Sequence, residues 1–381
     1  MFAHAICMHE PSECVHVCVR MYLYLYTFSH SLRSCVHVCL CVHVFTLAAL
    51  VCVFMRSVWV EMSVLVLGGS CFMGKLLVER LRADSLDVVT VNRGRRYWGV
   101  PGCPSVCADR RDRETYSSAI RQLLPTRAWL CVVDFCAYKR QDISRLPKEL
   151  FEICYILIST DSVYECVSSA LPDPVVEDCL VNMIKRRDKY GYNKWRCEQA
   201  LCERGRGLVL RLPDVLGEFD DTLRFWSLVE QASTCSDSVT LVSFVYSRDV
   251  VEFILCAIRR ELPCTVTVVN LLCDQQPSMH EFLQLVRAHE IHATTHCADA
   301  CTRATTHTGA CTDETRATTH ADACKFFPSV EYRKNPLSGK LAREQFGFVP
   351  THLQTVVDNT LRWISQARLD FPNEYAEARG L

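Results

Sequence analysis

The chain has almost no net charge. Its 42 Lys and Arg stand against 43 Asp and Glu, leaving -1 at pH 7 over 381 residues. A dedicated DNA-binder needs a cationic face to displace counterions, so this balance argues against one while leaving room for a local basic patch. Glycine and proline are scarce, at 14 each, which excludes a collagenous or linker-like protein. Disorder is excluded by a hydrophobic content of 49% against 22% charged residues. The length suits one large or two modest domains.

Cysteine, by contrast, is abundant at 25, with 13 His beside it. Both are unevenly placed: seven Cys and six His fall in residues 1–62, and four of each lie between His292 and Cys324. The chain is too long for a small disulfide scaffold. The remaining cysteines stand mostly in apolar runs, as Cys131, Cys136, Cys154 and Cys256 do, where cysteine packs as a small hydrophobe. A reducing, cytoplasmic compartment is the expectation.

The two odd segments repeat themselves. Cys-Val-His-Val occurs at 14–17, 35–38 and 41–44, and Thr-Arg-Ala-Thr-Thr-His at 302–307 and 315–320. Such short, irregular periods are not those of a solenoid. Residues 1–61 read as a low-complexity extension and 292–324 as a low-complexity insert, either non-native or disordered. An alternative holds for the first: Ser34–Met55 carries no Asp, Glu, Lys or Arg and is long enough to anchor the chain in a membrane. His37, His43 and the many valines count against that, and no signal-peptide pattern precedes it. The insert offers zinc-ligand residue types, but no compact pair of cysteines and no apolar core to hold them. No metal site is expected.

From Met62 the texture changes. Ser63–Leu67 is a short apolar run, read as a buried strand, and the helical pattern of Lys75–Leu86 follows it. Further strands are expected at Val88–Val91, Val106–Ala108, Trp129–Phe135, Ile153–Ile158 and Leu208–Leu212, with helices at Arg113–Leu124 and Lys189–Glu203. Strand alternating with helix means a parallel sheet covered on both faces. Between the first strand and helix lies Gly68-Gly-Ser-Cys-Phe-Met-Gly74. Gly68 suits a tight turn, Gly69 a close approach of backbone to phosphate, and Gly74 close packing of helix on strand. The helix N-terminus offers amides to a pyrophosphate.

The second strand ends in Asn92-Arg93-Gly94-Arg95-Arg96, with no carboxylate between Val88 and Val106. Folds that select NAD usually place Asp or Glu there for the ribose 2′-hydroxyl. Arg93 meets a 2′-phosphate instead, which slightly favours NADP. Further on, Ser159-Thr-Asp-Ser-Val-Tyr164 follows a strand and Tyr190-Gly-Tyr-Asn-Lys194 opens a helix. Tyr190 and Lys194, four apart, share a helix face. A neighbouring ammonium favours a phenolate. With a hydroxyl from Thr160, the three form an acid–base set for taking a proton from an alcohol as hydride leaves its carbon.

Together these motifs resemble an extended short-chain dehydrogenase/reductase of the NAD-dependent epimerase/dehydratase type. The glycine motif is most similar to an atypical branch reading Gly-Gly-x-x-Phe-x-Gly, which includes relatives of the chloroplast stem-loop-binding proteins. The resemblance runs from about Ser63 to about Ile291 and resumes near Phe326. It implies an α/β fold: a Rossmann-like doubly wound parallel sheet with a smaller C-terminal substrate-binding lobe. The nucleotide-binding domain with part of that lobe would occupy 62–291, and 325–381 would complete the lobe. Gly68, Gly69, Ser70, Phe72, Met73 and Gly74 would then line the pyrophosphate of an NAD(P) cofactor, with Asn92 and Arg93 at its ribose. Asp109 would sit near the adenine, Arg110 and Ala137 at the cofactor, and Leu212 and Pro213 near the nicotinamide. Tyr190 and Lys194 would touch both cofactor and substrate, with Thr160 completing the catalytic set. Val245–Val250 resembles the family's Arg/Asp segment before a helix, and Leu341–Trp363 its closing segment and last helix. A small-molecule substrate of the nucleotide-sugar class and a homodimer are also implied.

The chain departs from the pattern at Cys71, where the family usually has Gly, and at Asp214, where many relatives have Asn. The insert falls in the substrate lobe. Asp161 is followed by Ser162, so the extra acid–base pair of a dehydratase is incomplete. The alternative function is a nucleotide-fold RNA-binding or regulatory protein without turnover, using Arg93, Arg95, Arg96, Arg110 and Arg111 as a patch. A third is a membrane-anchored reductase.

Overall fold

The computed structural model describes residues 62–94, 102–167, 171–179, 189–220, 225, 241–260, 265–286 and 335–370. All of them belong to the unit Met62–Leu381. The 1–61 extension with its candidate membrane span, the 292–324 insert, Arg95 and Arg96 lie outside the described residues. Among the described residues no helix is long and apolar enough to cross a membrane, and no group of three His, Cys, Asp or Glu could hold a metal.

The first strand, β1 (Met62–Leu67), is fully buried from Val64 to Leu67. A strand covered on both faces needs apolar side chains on both, which is why it reads as an unbroken run. Helix α1 (Phe72–Ala83) follows, then β2 (Asp87–Asn92), β3 (Ser105–Cys107), α2 (Arg113–Leu123) and β4 (Ala128–Asp134). Next come α3 (Arg140–Ser144), β5 (Cys154–Thr160), α4 (Lys189–Cys202) and β6 (Gly207–Leu212). Each expected strand and helix of this half is present, with ends shifted by a few residues at most. The chain continues through β7 (Asp214–Leu216), β8 (Phe244–Tyr246), α5 (Ser247–Ile258) and β9 (Val266–Asn270). It closes with α6 (Lys340–Phe346) and α7 (Leu353–Asp370).

The main sheet has seven strands in the order β3-β2-β1-β4-β5-β6-β9, all parallel. Helix α1 packs beside α5, and α3 beside α4. This is the Rossmann-like doubly wound architecture. The order reverses between β1 and β4, and ligands of such sheets bind in the crevice at that reversal, outside the carboxyl ends of the strands. One core cluster lies on the sheet, around Leu65, Leu67, Val132, Tyr155 and Leu157. A second, around Phe225, Phe244, Phe282, Val356 and Val357, builds the smaller lobe with β8 and α7.

Two features were not anticipated. Strand β9 is an edge strand whose first three residues are only partly buried, so it lacks the unbroken apolar signature. The pair β7–β8 forms a second, two-stranded sheet of three residues per strand. Strands that short show no periodicity.

Candidate active site

The turn after β1 is shaped by its glycines. Gly68 has φ +95°, in the region that favours glycine. A Cβ on Gly74 would fall on the Gly68 carbonyl oxygen, so α1 approaches β1 only because that side chain is missing. A Cβ on Gly69 would lie 2.7 Å from Thr90 Cγ2 and 2.9 Å from Val78 Cγ2. The requirement for glycine there comes from packing against β2 and α1, apart from any phosphate. Gly74→Ala is therefore expected to unseat α1 and lower the melting temperature, which thermal denaturation checks.

Phe72 opens α1 with φ +46°, and its amide donates to the carbonyl of Phe219 at 3.1 Å. Phe219 is itself at φ +61°. Such a conformation costs about 1–2 kcal/mol for a residue with a side chain. Phe72, expected at the cofactor, thus gives its amide to the protein. Met73 and Gly74 precede the first intrahelical bond, from Lys75 N–H to the Cys71 carbonyl at 3.2 Å. They are the amides of this turn best placed for an anion. Cys71 stands at the cap in extended conformation, without a side-chain capping bond.

At the end of β2, Asn92 Nδ2 donates to Thr90 Oγ1 at 2.9 Å and Ser105 Oγ at 3.2 Å, while Asn92 Oδ1 is buried without a partner. Thr90 directs its own hydroxyl proton at the Pro104 carbonyl, 3.4 Å away, so it presents a lone pair to Asn92. That fixes which side of the amide is left over. Arg93 is exposed. Asp109 accepts the Arg111 amide at 2.9 Å.

Arg110, the next candidate, is largely withdrawn from solvent. Its guanidinium turns inward and binds Asp134 at the end of β4 with both terminal nitrogens, at 2.9 and 2.7 Å. Its face lies 5.1 Å from the centre of the Tyr116 ring. Asp134 is 0% exposed and also accepts the Tyr155 hydroxyl and the Cys136 amide. Burial works against its charge, yet Arg110's charge, followed by these hydrogen bonds, holds its carboxyl below the ordinary range. Burial and then Asp134 push the Cys136 thiol up to about 11, against the opposing charges of Arg110, Arg93 and Lys194.

The catalytic candidates lie on α4 and at the end of β5, the strand whose Ile158 carbonyl Lys194 binds. Lys194 is 2% exposed, and its ammonium donates to the carbonyls of Ala137, at 2.8 Å, and Ile158. It also lies 5.3 Å from the centre of the Tyr138 ring. An ammonium has three donors, so one remains after these two bonds. Tyr190, in the first turn of α4, is 42% exposed, with its ring 6.5 Å from that of Tyr138. No hydrogen bond joins Tyr190 to Lys194 among the described residues. Thr160 ends β5, and its hydroxyl accepts the Ser162 amide at 3.2 Å with Asp161 and Ser162 side chains nearby. It caps the short 3-10 turn Asp161–Cys166. Leu212 and Pro213 are buried just beyond, at the end of β6.

Sequence reasoning missed Asp134 and Tyr138. Their signals are weak: a lone carboxylate closing an apolar strand, and an aromatic in the following loop. It also missed the buried pair behind the site. Arg211 on β6 binds Glu198 on α4 at 2.8 Å, and Glu198 accepts the Ser159 hydroxyl. Arg211 reaches Tyr164 Oη at 3.0 Å, and Tyr164 donates to Asn270 at 2.7 Å.

No family model matches the chain, and no curated protein matches it. Solved structures do. A UDP-glucose 4-epimerase superposes with a TM-score of 0.57 at 17% identity, covering 82% of this chain and 98% of that one. A dTDP-glucose 4,6-dehydratase from Bacillus anthracis, in complex with NAD, gives 0.58 at 14%, covering 82% and 99%. The Bordetella bronchiseptica enzyme WbmG, also in complex with NAD, gives 0.57 at 15%, covering 80% and 94%. What the chain shares with these proteins is their Rossmann-type fold, over nearly their whole length.

Proposed function

We propose that the chain is an NAD(P)-dependent oxidoreductase or epimerase of the extended short-chain dehydrogenase/reductase type. Its substrate is a small molecule of the nucleotide-sugar class, changed at a hydroxyl or keto carbon. The observation that carries this is Lys194 held between Ala137 O and Ile158 O at the carboxyl ends of β4 and β5, with Tyr190 one helical turn away. The dinucleotide, when bound, accepts or returns hydride. The residues here fit it: the glycine turn brings α1's first amides to the crevice, and Arg93 and Lys194 supply positive charge. Tyr190 transfers the proton of the substrate hydroxyl. Lys194 keeps one donor beyond its two carbonyl partners for the dinucleotide or the substrate oxygen. Thr160 holds the substrate oxygen through its hydroxyl. The similar solved structures named as epimerases and dehydratases of nucleotide sugars support the substrate class. With Ser162 beside Asp161, epimerisation or reduction fits better than dehydration. A cleft is lined by Asp161, Glu165, Ser243, Asn335 and Leu337, of which Asp161 follows Thr160 in the chain. The proposal includes a homodimer, which sedimentation of the full chain tests.

The cofactor reading changes with the side chains in view. The unpartnered Oδ1 of Asn92 is an acceptor, suited to a ribose 2′-hydroxyl and unsuited to a 2′-phosphate. The charge of Arg93 reaches the Cys136 thiol, whose sulfur fills the space a Cβ on Gly68 would take at the glycine turn. NAD is therefore proposed over the NADP that Arg93 alone suggested. The full chain is expected to retain NAD on purification and to bind it more tightly than NADP. Arg93→Ala should weaken both by a similar factor. Tighter NADP binding, lost selectively in Arg93→Ala, would restore the 2′-phosphate role. Absence of dinucleotide binding together with RNA binding would favour the nucleotide-fold regulatory alternative, for which the inward turn of Arg110 leaves a smaller patch.

A further inference from the structure

We propose that Asp134 is a positioning residue that couples the adenosine end of the crevice to the lysine at its catalytic end. The inference rests on the dinucleotide reading above. Asp134 closes β4, the strand beside β1 at the reversal of sheet order. Its Oδ1 accepts from Arg110 Nη1 at 2.9 Å and from the Cys136 amide at 2.8 Å. Its Oδ2 accepts from Arg110 Nη2 at 2.7 Å and from the Tyr155 hydroxyl. A carboxylate has about four lone-pair positions, and all are used.

These bonds run in two directions. Through Arg110 the carboxylate holds the loop after β3, where Asp109 lies one residue away. Through the Cys136 amide it holds the turn leading to Ala137, whose carbonyl carries the Lys194 ammonium. One buried group thus sets both the wall expected at the adenosine and the anchor of the catalytic lysine. Stability is a weak reason for such a pair, because well-packed apolar residues often serve as well as a buried ion pair. Four directed bonds at the mouth of the crevice fit positioning. Arg110 Nε remains buried without a partner, as expected of a guanidinium placed by its two ends.

The two directions are chemically separable. Asp134→Asn keeps Oδ1 for Arg110 Nη1 and the Cys136 amide and sets an amide NH2 against Arg110 Nη2 and the Tyr155 hydroxyl, which turns to accept it, so it weakens the Arg110 arm and keeps the Cys136 arm. The double variant Arg110→Met/Asp134→Leu leaves no buried charge unpaired and removes both arms. Affinities of the full chain for ADP and for NAD, measured by titration calorimetry with melting temperatures alongside, separate the cases. Asp134→Asn should weaken ADP and NAD by the same factor, about tenfold for a lost charge-assisted hydrogen bond. The double variant should lose more for NAD than for ADP, because the lysine anchor serves the nicotinamide half. Unchanged affinities in Asp134→Asn would overturn the proposal. So would losses in both variants that only follow falling melting temperature. Wild-type protein that binds neither nucleotide would instead overturn the dinucleotide reading, and this inference with it.

Discussion

Tyr190→Phe is expected to lower turnover by roughly a hundredfold or more, the scale of losing a positioned acid–base group, while dinucleotide affinity stays nearly intact. The ring is kept and only the transferable proton is lost. Tyr190 suits this role because it is 42% exposed, whereas Lys194, one turn on along α4, is 2% exposed and tied to two carbonyls. Lys194→Ala should damage both turnover and affinity, since it strands those carbonyls and removes the cation from the crevice. Tyr192 is the control. Its hydroxyl accepts from Arg196 Nη1 at 3.3 Å and its ring lies 5.7 Å from Trp195, an environment distinct from that of Tyr190 beside Tyr138. Tyr192→Phe should do little. The assay is nicotinamide absorbance or product analysis with a panel of nucleotide sugars. Loss of activity in Tyr192→Phe with Tyr190→Phe unaffected would show that the register of the site is wrong.

Arg211→Met should destabilise the protein by about 3–5 kcal/mol, the range for breaking a buried ion pair from one side. Glu198 is 1% exposed and would keep only the Ser159 hydroxyl as a direct partner, while Tyr164 and the Glu177 carbonyl would each lose a donor. At this chain length the melting temperature should fall by roughly 10 °C. The companion Arg211→Met/Glu198→Leu should recover part of the loss, because no charge is then left buried alone. A melting temperature unchanged in the single variant would refute the account. The pair matters to the chemistry as well: Glu198 lies one helical turn beyond Lys194 on α4, so its bond to β6 holds the lysine-bearing face of that helix against the sheet.

Much of this architecture was readable before any coordinates. The strands β1, β4, β5 and β6 are covered on both faces, so burial required continuous apolar runs, and those runs stand out. The glycine turn showed because Gly68 and Gly74 answer local demands, a positive φ and a close approach of helix to strand, that few other residues meet. Tyr190 and Lys194 showed because their relation is helical spacing. Elements governed by distant partners were not readable. Strand β9 exists because β6 offers it an edge, and β7 and β8 are too short for any pattern.

The same division runs through the site. Sequence alone determined which residues are candidates for chemistry and the order in which strands and helices present them, since both follow from residue type and local period. Tertiary structure decided what those residues hold. Phe72 gives its amide to Phe219, Thr160 caps its own turn, and Lys194 is fastened by carbonyls from two strands. Arg110, which looks from its neighbours like part of an exposed basic patch, is drawn inside by a carboxylate 24 residues away. A buried charge is determined by whatever opposite charge the fold brings within hydrogen-bond reach, and that proximity arises only once β3 and β4 are assembled in one sheet.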